Sequence, residues 1–137
     1  MLNRHTLKAL FYVFALMSLW TEEIASKWVE YEPKMVTLSG KIISRTLPGP
    51  PNYSDIKKGD IPEKILFLIL DSPISVKAKL SDPALYPSER NIRKVQLWTL
   101  NPKVLRQLKQ AIGRHVVVTG RLSHAITGHH RLSLIHI

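Results

Sequence analysis

A mainly β fold, a small barrel with one helix in its strand order, is what this 137-residue chain predicts. Three observations carry that expectation. Short runs of alternating apolar and polar residues recur between proline-rich breaks. Two of the runs, VTLSGKI and VVVTGRL, place a glycine at the same phase before a cation. A single helical pattern with clear start and stop signals precedes the second of them.

Element by element, the first strand falls in YEPKMVTLSGKIISRTL, with Val36, Leu38, Gly40 and Ile42 on one face and Thr37, Ser39 and Lys41 on the other. PGPPNYSDIKKGDIPE follows, with four prolines and two glycines in sixteen residues. Proline cannot donate to a sheet ladder, so this segment is a loop. KILFLILD is a continuous apolar run suited to a buried strand, ending at the turn signal DSP. ISVKAKL alternates again, as an extra strand in a hairpin or insertion, and SDPALYPSERN breaks the pattern. IRKVQLWTL is the next strand.

The helix starts at Asn101, a good N-cap before Pro102, and Gly113 closes its end. Val104, Leu105, Leu108, Ala111 and Ile112 form its apolar stripe, and Lys103, Arg106 and Lys109 its wet face. HVVVTGRL then places Val116, Val118, Gly120 and Leu122 in phase. A glycine inside a strand marks a sharp bend or a close backbone approach. Two such strands suggest a strongly coiled barrel. Strand, strand, strand, helix, strand, strand is the order of an OB-fold.

The chain length suits one domain, and 45% apolar with 22% charged residues is ordinary for a globular one. Residues 1–26 read as a signal peptide, expected to be helical. Arg4 and Lys8 form its basic start, and ALFYVFALMSLW (Ala9–Trp20) is an apolar stretch too short to span a bilayer comfortably. EIAS places Ile24 and Ser26 at the cleavage site. The expected product, residues 27–137, is one OB-like domain, periplasmic or secreted, monomeric and without a transmembrane anchor. The chain has no cysteine, so it holds no disulfide, lipid anchor or thiolate nucleophile.

Formal charge is +10, and residues 1–26 cancel internally (Arg4 and Lys8 against Glu22 and Glu23), so the domain keeps all of it. In the cytoplasm that surplus points to nucleic acid; after export it points to other anions.

In an OB-fold the loops after the first and fourth strands flank the binding face. Here they carry Tyr53, Asp55 and Asp60 on one side and His124, Thr127, His129 and His130 on the other. The favoured function is a non-enzymatic module binding a polar or anionic ligand through Tyr53, Asp60, His124, Thr127, His129 and His130. Zinc held by His124, His129 and His130, with Asp55 or Asp60 as carboxylate, is the competing expectation; it would make the chain a small hydrolase. Neighbouring histidines in a strand point to opposite faces, so at most two of the three share a centre. Any enzyme would use His129 as general base, with Asp60 or Tyr53 orienting substrate. No nucleophile elbow, glycine-rich phosphate loop or paired-carboxylate motif is present.

YEPKMVTLSG, PGPPNYSDIKKGD, LDSPISV, VQLW and GRHVVVTGRLSHAITGHH resemble the landmarks of a bacterial exported family, domain of unknown function 4431. The resemblance runs from about Tyr31 to His130 and implies export and a bacterial source, with no activity or cofactor. It also implies a disulfide between a cysteine just before YEP, near Trp28, and one at the place of Ser75. Both are absent here together, and a lone thiol in an oxidising compartment is a liability. The family continues past TGHH with a longer proline-containing strand, whereas this chain ends RLSLIHI. Residues 131–137 are therefore expected to be a foreign tail; a native stop codon after Ile137 in genomic DNA would contradict this.

Overall fold

The structure, a computed structural model, describes residues 26–131 and 134–137. The signal-peptide reading lies, apart from Ser26, outside the described residues. Strand β1 spans Lys27–Glu30, β2 Met35–Pro48, β3 Pro62–Lys77 and β4 Glu89–Trp98. Helix α1 spans Pro102–Gln110, and β5 (His115–Ser123) and β6 (Leu134–His136) complete the chain. The six strands form one curled, mixed sheet in the order β1-β3-β2-β5-β6-β4, and β4 also pairs with β3. The pairs β1–β3 and β4–β6 are parallel and the rest antiparallel. Among the described residues no helix is long and apolar enough to cross a membrane.

Strand β2 behaves as its alternation requires. Val36, Leu38 and Ile42 face the core, and Thr37 and Lys41 are exposed. Gly40 is its corner. Residues 35–39 pair with β5 alone, residues 42–48 with β3 alone, and Gly40 and Lys41 with both. A Cβ on Gly40 would lie 2.0 Å from the carbonyl oxygen of Ile69. Only glycine lets the two backbones come this close. Gly120, its counterpart in β5, is buried opposite Val36.

Strand β3 departs from the sequence expectation. Asp71-Ser72-Pro73 is no turn, and ISVKAKL is neither hairpin nor insertion; one strand runs through the former and the first four residues of the latter, to Lys77. The register to β4 slips between Ile69 and Ile74, a bulge where Pro73 is not asked for a ladder N–H. Before the bulge β3 pairs with β2, and beyond it with β1. Strand β1 itself is absent from the sequence reading, since four residues with no buried member show no alternation. It sets Trp28 opposite Ser75, whose hydroxyl lies 2.5 Å from that of Ser26. The two cysteine positions implied by the family resemblance are thus neighbours across one strand pair.

The core lies inside the curl. Ile42, Leu68, Leu122 and Ile135 are fully buried, each contributing about 1.5–3 kcal/mol by leaving water. Helix α1 covers one end of the core. The Oδ1 of Asn101 accepts from the N–H groups of Lys103 (2.9 Å) and Val104 (3.4 Å). Leu108 is buried, while Val104, Leu105, Ala111 and Ile112 pack against the core. Past the helix, Gly113 adopts φ +84° and donates its N–H to the carbonyl of Ile42 at 2.8 Å. Strand β6 fills the slot between β4 and β5, with Ile135 opposite both Leu97 and Leu122.

Because the neighbour at Gly40 is backbone, Gly40→Ala is expected to lower unfolding stability by about 3 kcal/mol. Denaturant titration checks this; a change below about 0.5 kcal/mol would mean the β2 corner is not close-packed.

Candidate functional site

The loop after β2, residues 49–61, is ordered by a carboxylate. Asp60 is almost fully buried, and its two oxygens accept from the N–H groups of Asn52 (2.8 Å), Ser54 (2.7 Å) and Asp55 (2.8 Å). The Ser54 hydroxyl adds a longer bond at 3.3 Å. Donation from Asp55 and then Ser54 holds the Asp60 carboxyl at about 2, against the opposing effect of burial. Asp55 caps the short 3-10 turn Ile56–Lys58 by accepting from the N–H of Lys57 at 2.8 Å. Both carboxylates therefore serve the loop's own backbone, and neither reaches a histidine.

This scaffold holds Tyr53 at φ +56°, a left-handed conformation that costs a non-glycine residue about 1 kcal/mol or more. Its N–H donates to the carbonyl of Gly49 at 2.9 Å. The ring is thereby aimed at the loop after β5, where it lies over Gly128. A Cβ on Gly128 would come within 2.9 Å of the Tyr53 ring. The Tyr53 hydroxyl lies 2.9 Å from Nε2 of His129, with the two rings edge-on at 5.3 Å. Nδ1 of His129 lies 3.0 Å from Oε1 of Glu63. Hydroxyl, imidazole and carboxylate thus form one hydrogen-bonded line joining the two loops to the start of β3.

Arg131 closes the group from the far side. Its guanidinium carbon sits 4.9 Å from the centre of the Tyr53 ring, a cation–π contact. Its Nη2 donates to the carbonyl of Pro48 and reaches Oε2 of Glu63 at 3.4 Å. Buried Gln96 in β4 fastens the loop from below, accepting from the N–H of Arg131 (2.7 Å) and donating to the carbonyl of His129 (3.1 Å).

The other two histidines go elsewhere. His124 stands 3.7 Å from Glu89, at the start of β4. His130 packs edge-on near Trp98 at 6.3 Å, and its Nδ1 accepts from the N–H of Ile126 at 3.3 Å. The Thr127 carbonyl accepts the N–H of His130 at 2.9 Å, closing the turn, while its side chain is exposed. Of the residues expected to form one face, the structure brings together Tyr53 and His129. Asp60 lies beneath them as a scaffold, and His124 and His130 stand apart. Among the described residues no three metal-ligating side chains gather.

Glu63, Gln96 and Arg131 are the members that sequence reading missed. Gln96 carried a signal, being a polar residue in an otherwise apolar stretch of strand. Arg131 was assigned to the tail, and Glu63 was read as the end of a loop.

With the geometry in place, the comparison with known families bears on it directly. A family model described as a domain of unknown function, DUF4431, matches residues 94–135. The match spans the second half of β4, α1, β5 and the histidine loop, so Gln96, His129 and Arg131 all fall inside it. Tyr53, Asp60 and Glu63 fall outside it. No curated protein and no solved structure matches the chain.

Acid should loosen the two loops in separate windows. Burial, and then the charge of His129, holds His130 below its ordinary value of 6.5. The open loop therefore takes up a proton more readily than the closed one, and protonation also removes the acceptor for the Ile126 N–H. Hydrogen-exchange protection at Ile126 is expected to fall as pH drops through about 6.5 and to lose that dependence in His130→Gln. Asp60 acts lower. Its stabilisation is complete above 3.8 and is lost as pH falls toward about 2, so the amides of Asn52, Ser54 and Asp55 should stay protected throughout the first window. Simultaneous opening of both loops would contradict this assignment.

Proposed function

We propose that the chain is an exported, non-enzymatic, OB-like module that binds a polar or anionic ligand in the cell envelope. Counting β2 as the first barrel strand supports the OB reading. The pairs then run first with second, second with third, third in parallel with fifth, fifth with fourth and fourth with first. Helix α1 lies between the third and fourth of these strands, and β1 is an addition beside the second. In OB-folds the outer face of the second and third strands, between the two flanking loops, is the binding face.

Register and pleat support this reading by showing which residues would form that face. Core residues Ile42, Leu68 and Val95 lie in one row, so the rows on either side point outward. One outward row is Lys41, Ile69 and Lys94; the next is Ile43, Phe67 and Gln96; the third holds Arg45 and Ile65. Phe67 is buried but lies outside the core cluster, with the Lys94 ammonium 5.0 Å from its ring centre. The two carboxylates on this face are engaged, Asp71 by His115 at 2.6 Å and Glu63 by His129 and Arg131. Lys41, Arg45 and Lys94 have no carboxylate partner among the described residues.

The single observation that carries the reading is the Tyr53–His129 contact at the end of this cationic, aromatic-backed face. Flat apolar groups ringed by uncompensated cations suit an anion with stackable or sugar-like parts. A salt-dependent affinity for short-chain inorganic polyphosphate is the expected behaviour. Each of Lys41→Gln and Lys94→Gln should weaken it and lower the slope of log affinity against log salt by about 1, by analogy with removing a phosphate contact on nucleic acid. Affinity unchanged in both variants would overturn the reading.

A further inference from the structure

A second site lies away from both loops, where β1 meets the segment between β3 and β4. Trp28, Pro33, Lys77, Lys79 and Leu80 line a cavity there of about 640 Å³, within the range that takes small organic molecules. The apolar lining is unusually open to water. Leu80 is 93% exposed and Trp28 40% exposed, although burying either would be favourable. The floor is fixed by hydrogen bonds rather than by loose loop. The Tyr31 hydroxyl is 2.6 Å from Oε1 of Glu89, Tyr86 donates to Glu32 at 2.9 Å, and the Lys79 N–H donates to the carbonyl of Tyr86 at 3.0 Å. Arg90 stacks on the Trp28 ring at 4.9 Å and holds it at the cavity wall.

The charges around the cavity do not cancel. Glu30 faces Lys34 at 4.0 Å, and Glu32 accepts from the neutral Tyr86 hydroxyl and keeps its charge, so two carboxylates stand against three lysines. That leaves Lys77 and Lys79 without a carboxylate partner among the described residues, Lys79 resting over the Tyr86 ring at 4.8 Å. An exposed indole supplies a flat stacking surface, Leu80 an apolar flank and the two ammonium groups a place for negative charge.

We propose that this cavity binds a small ring-bearing anion, its ring against Trp28 and Leu80 and its phosphate, sulfate or carboxylate group between Lys77 and Lys79. None of its lining residues belongs to residues 49–61 or 124–131, so the site stands or falls independently of the face between those loops.

1-Anilinonaphthalene-8-sulfonate, an aryl anion, and N-phenyl-1-naphthylamine, its neutral counterpart, are the probes, titrated into the full chain and followed by fluorescence. Saturable sulfonate binding that depends on Lys77 and Lys79 is expected. The double variant Lys77→Gln/Lys79→Gln should weaken sulfonate binding roughly tenfold, as for loss of a charge-assisted contact, and leave the neutral probe unchanged. Trp28→Ala should weaken both probes, and Lys109→Gln, on the exposed side of α1, neither. Circular dichroism confirms that each variant is folded; Leu80→Ser, at an almost fully exposed position, repeats the Trp28 test where folding is not at stake. Absence of saturable binding, or binding indifferent to Lys77, Lys79 and Leu80, would overturn the proposal. Loss of binding in Lys109→Gln would also overturn it, by showing that any surface cation serves.

Discussion

The approach of the β2 backbone at Gly40 to the β3 backbone at Ile69 is the constraint on which the rest depends. A side chain there would collide with a carbonyl group that cannot step aside. Without it, β2 turns a corner and serves two partners, β5 with its first half and β3 with its second. A strand shared in this way cannot lie in a flat sheet, and the curl follows. Strands β2 and β5 run antiparallel, so the end of β2 and the end of β5 are separated along the sheet. The curl and the long reach of residues 124–131 across β4 bring their loops together.

The second requirement is polar satisfaction where those loops meet. A loop of thirteen residues with two prolines would not hold one shape by apolar burial alone. Asp60 supplies what packing cannot, by gathering three backbone donors around one buried carboxylate. Gln96 does the same for the opposite loop with a neutral amide, taking one N–H and giving one to a carbonyl. Between these two anchors the Tyr53–His129–Glu63 line and the Arg131 guanidinium form the contact itself. The anchors are buried and the contact is exposed, which is the arrangement expected of a site that must stay shaped while meeting a ligand.

Much of the fold was legible because single-residue alternation and capping are local signals. Val36 to Ile42 and Val116 to Leu122 announce their buried faces directly, and Asn101-Pro102 announces the helix. What was not legible depended on neighbours. Asp71-Ser72-Pro73 has turn chemistry, yet β4 and β1 hold it extended across a bulge, a tertiary override of a local preference. The four residues of β1 are a strand only because the far end of β3 leaves an edge for them to pair with. At the site, sequence could name the loops and could pick Tyr53 and His129. It could not tell the carboxylate that holds backbone from the one that meets His129, because the roles of Asp60 and Glu63 are set by what surrounds each. Nor could it divide three nearby histidines among Glu63, Glu89 and Trp98, which lie at the start of β3 and at the two ends of β4.

The claim most exposed to test is that the two loops share one rim, with the Tyr53 ring lying on Gly128. A nuclear Overhauser spectrum of the folded protein measures this without any substitution. Strong cross-peaks between the ring protons of Tyr53 and the α-protons of Gly128 are the required result. A folded spectrum in which Tyr53 shows contacts only within residues 49–61 would separate the loops and remove the rim.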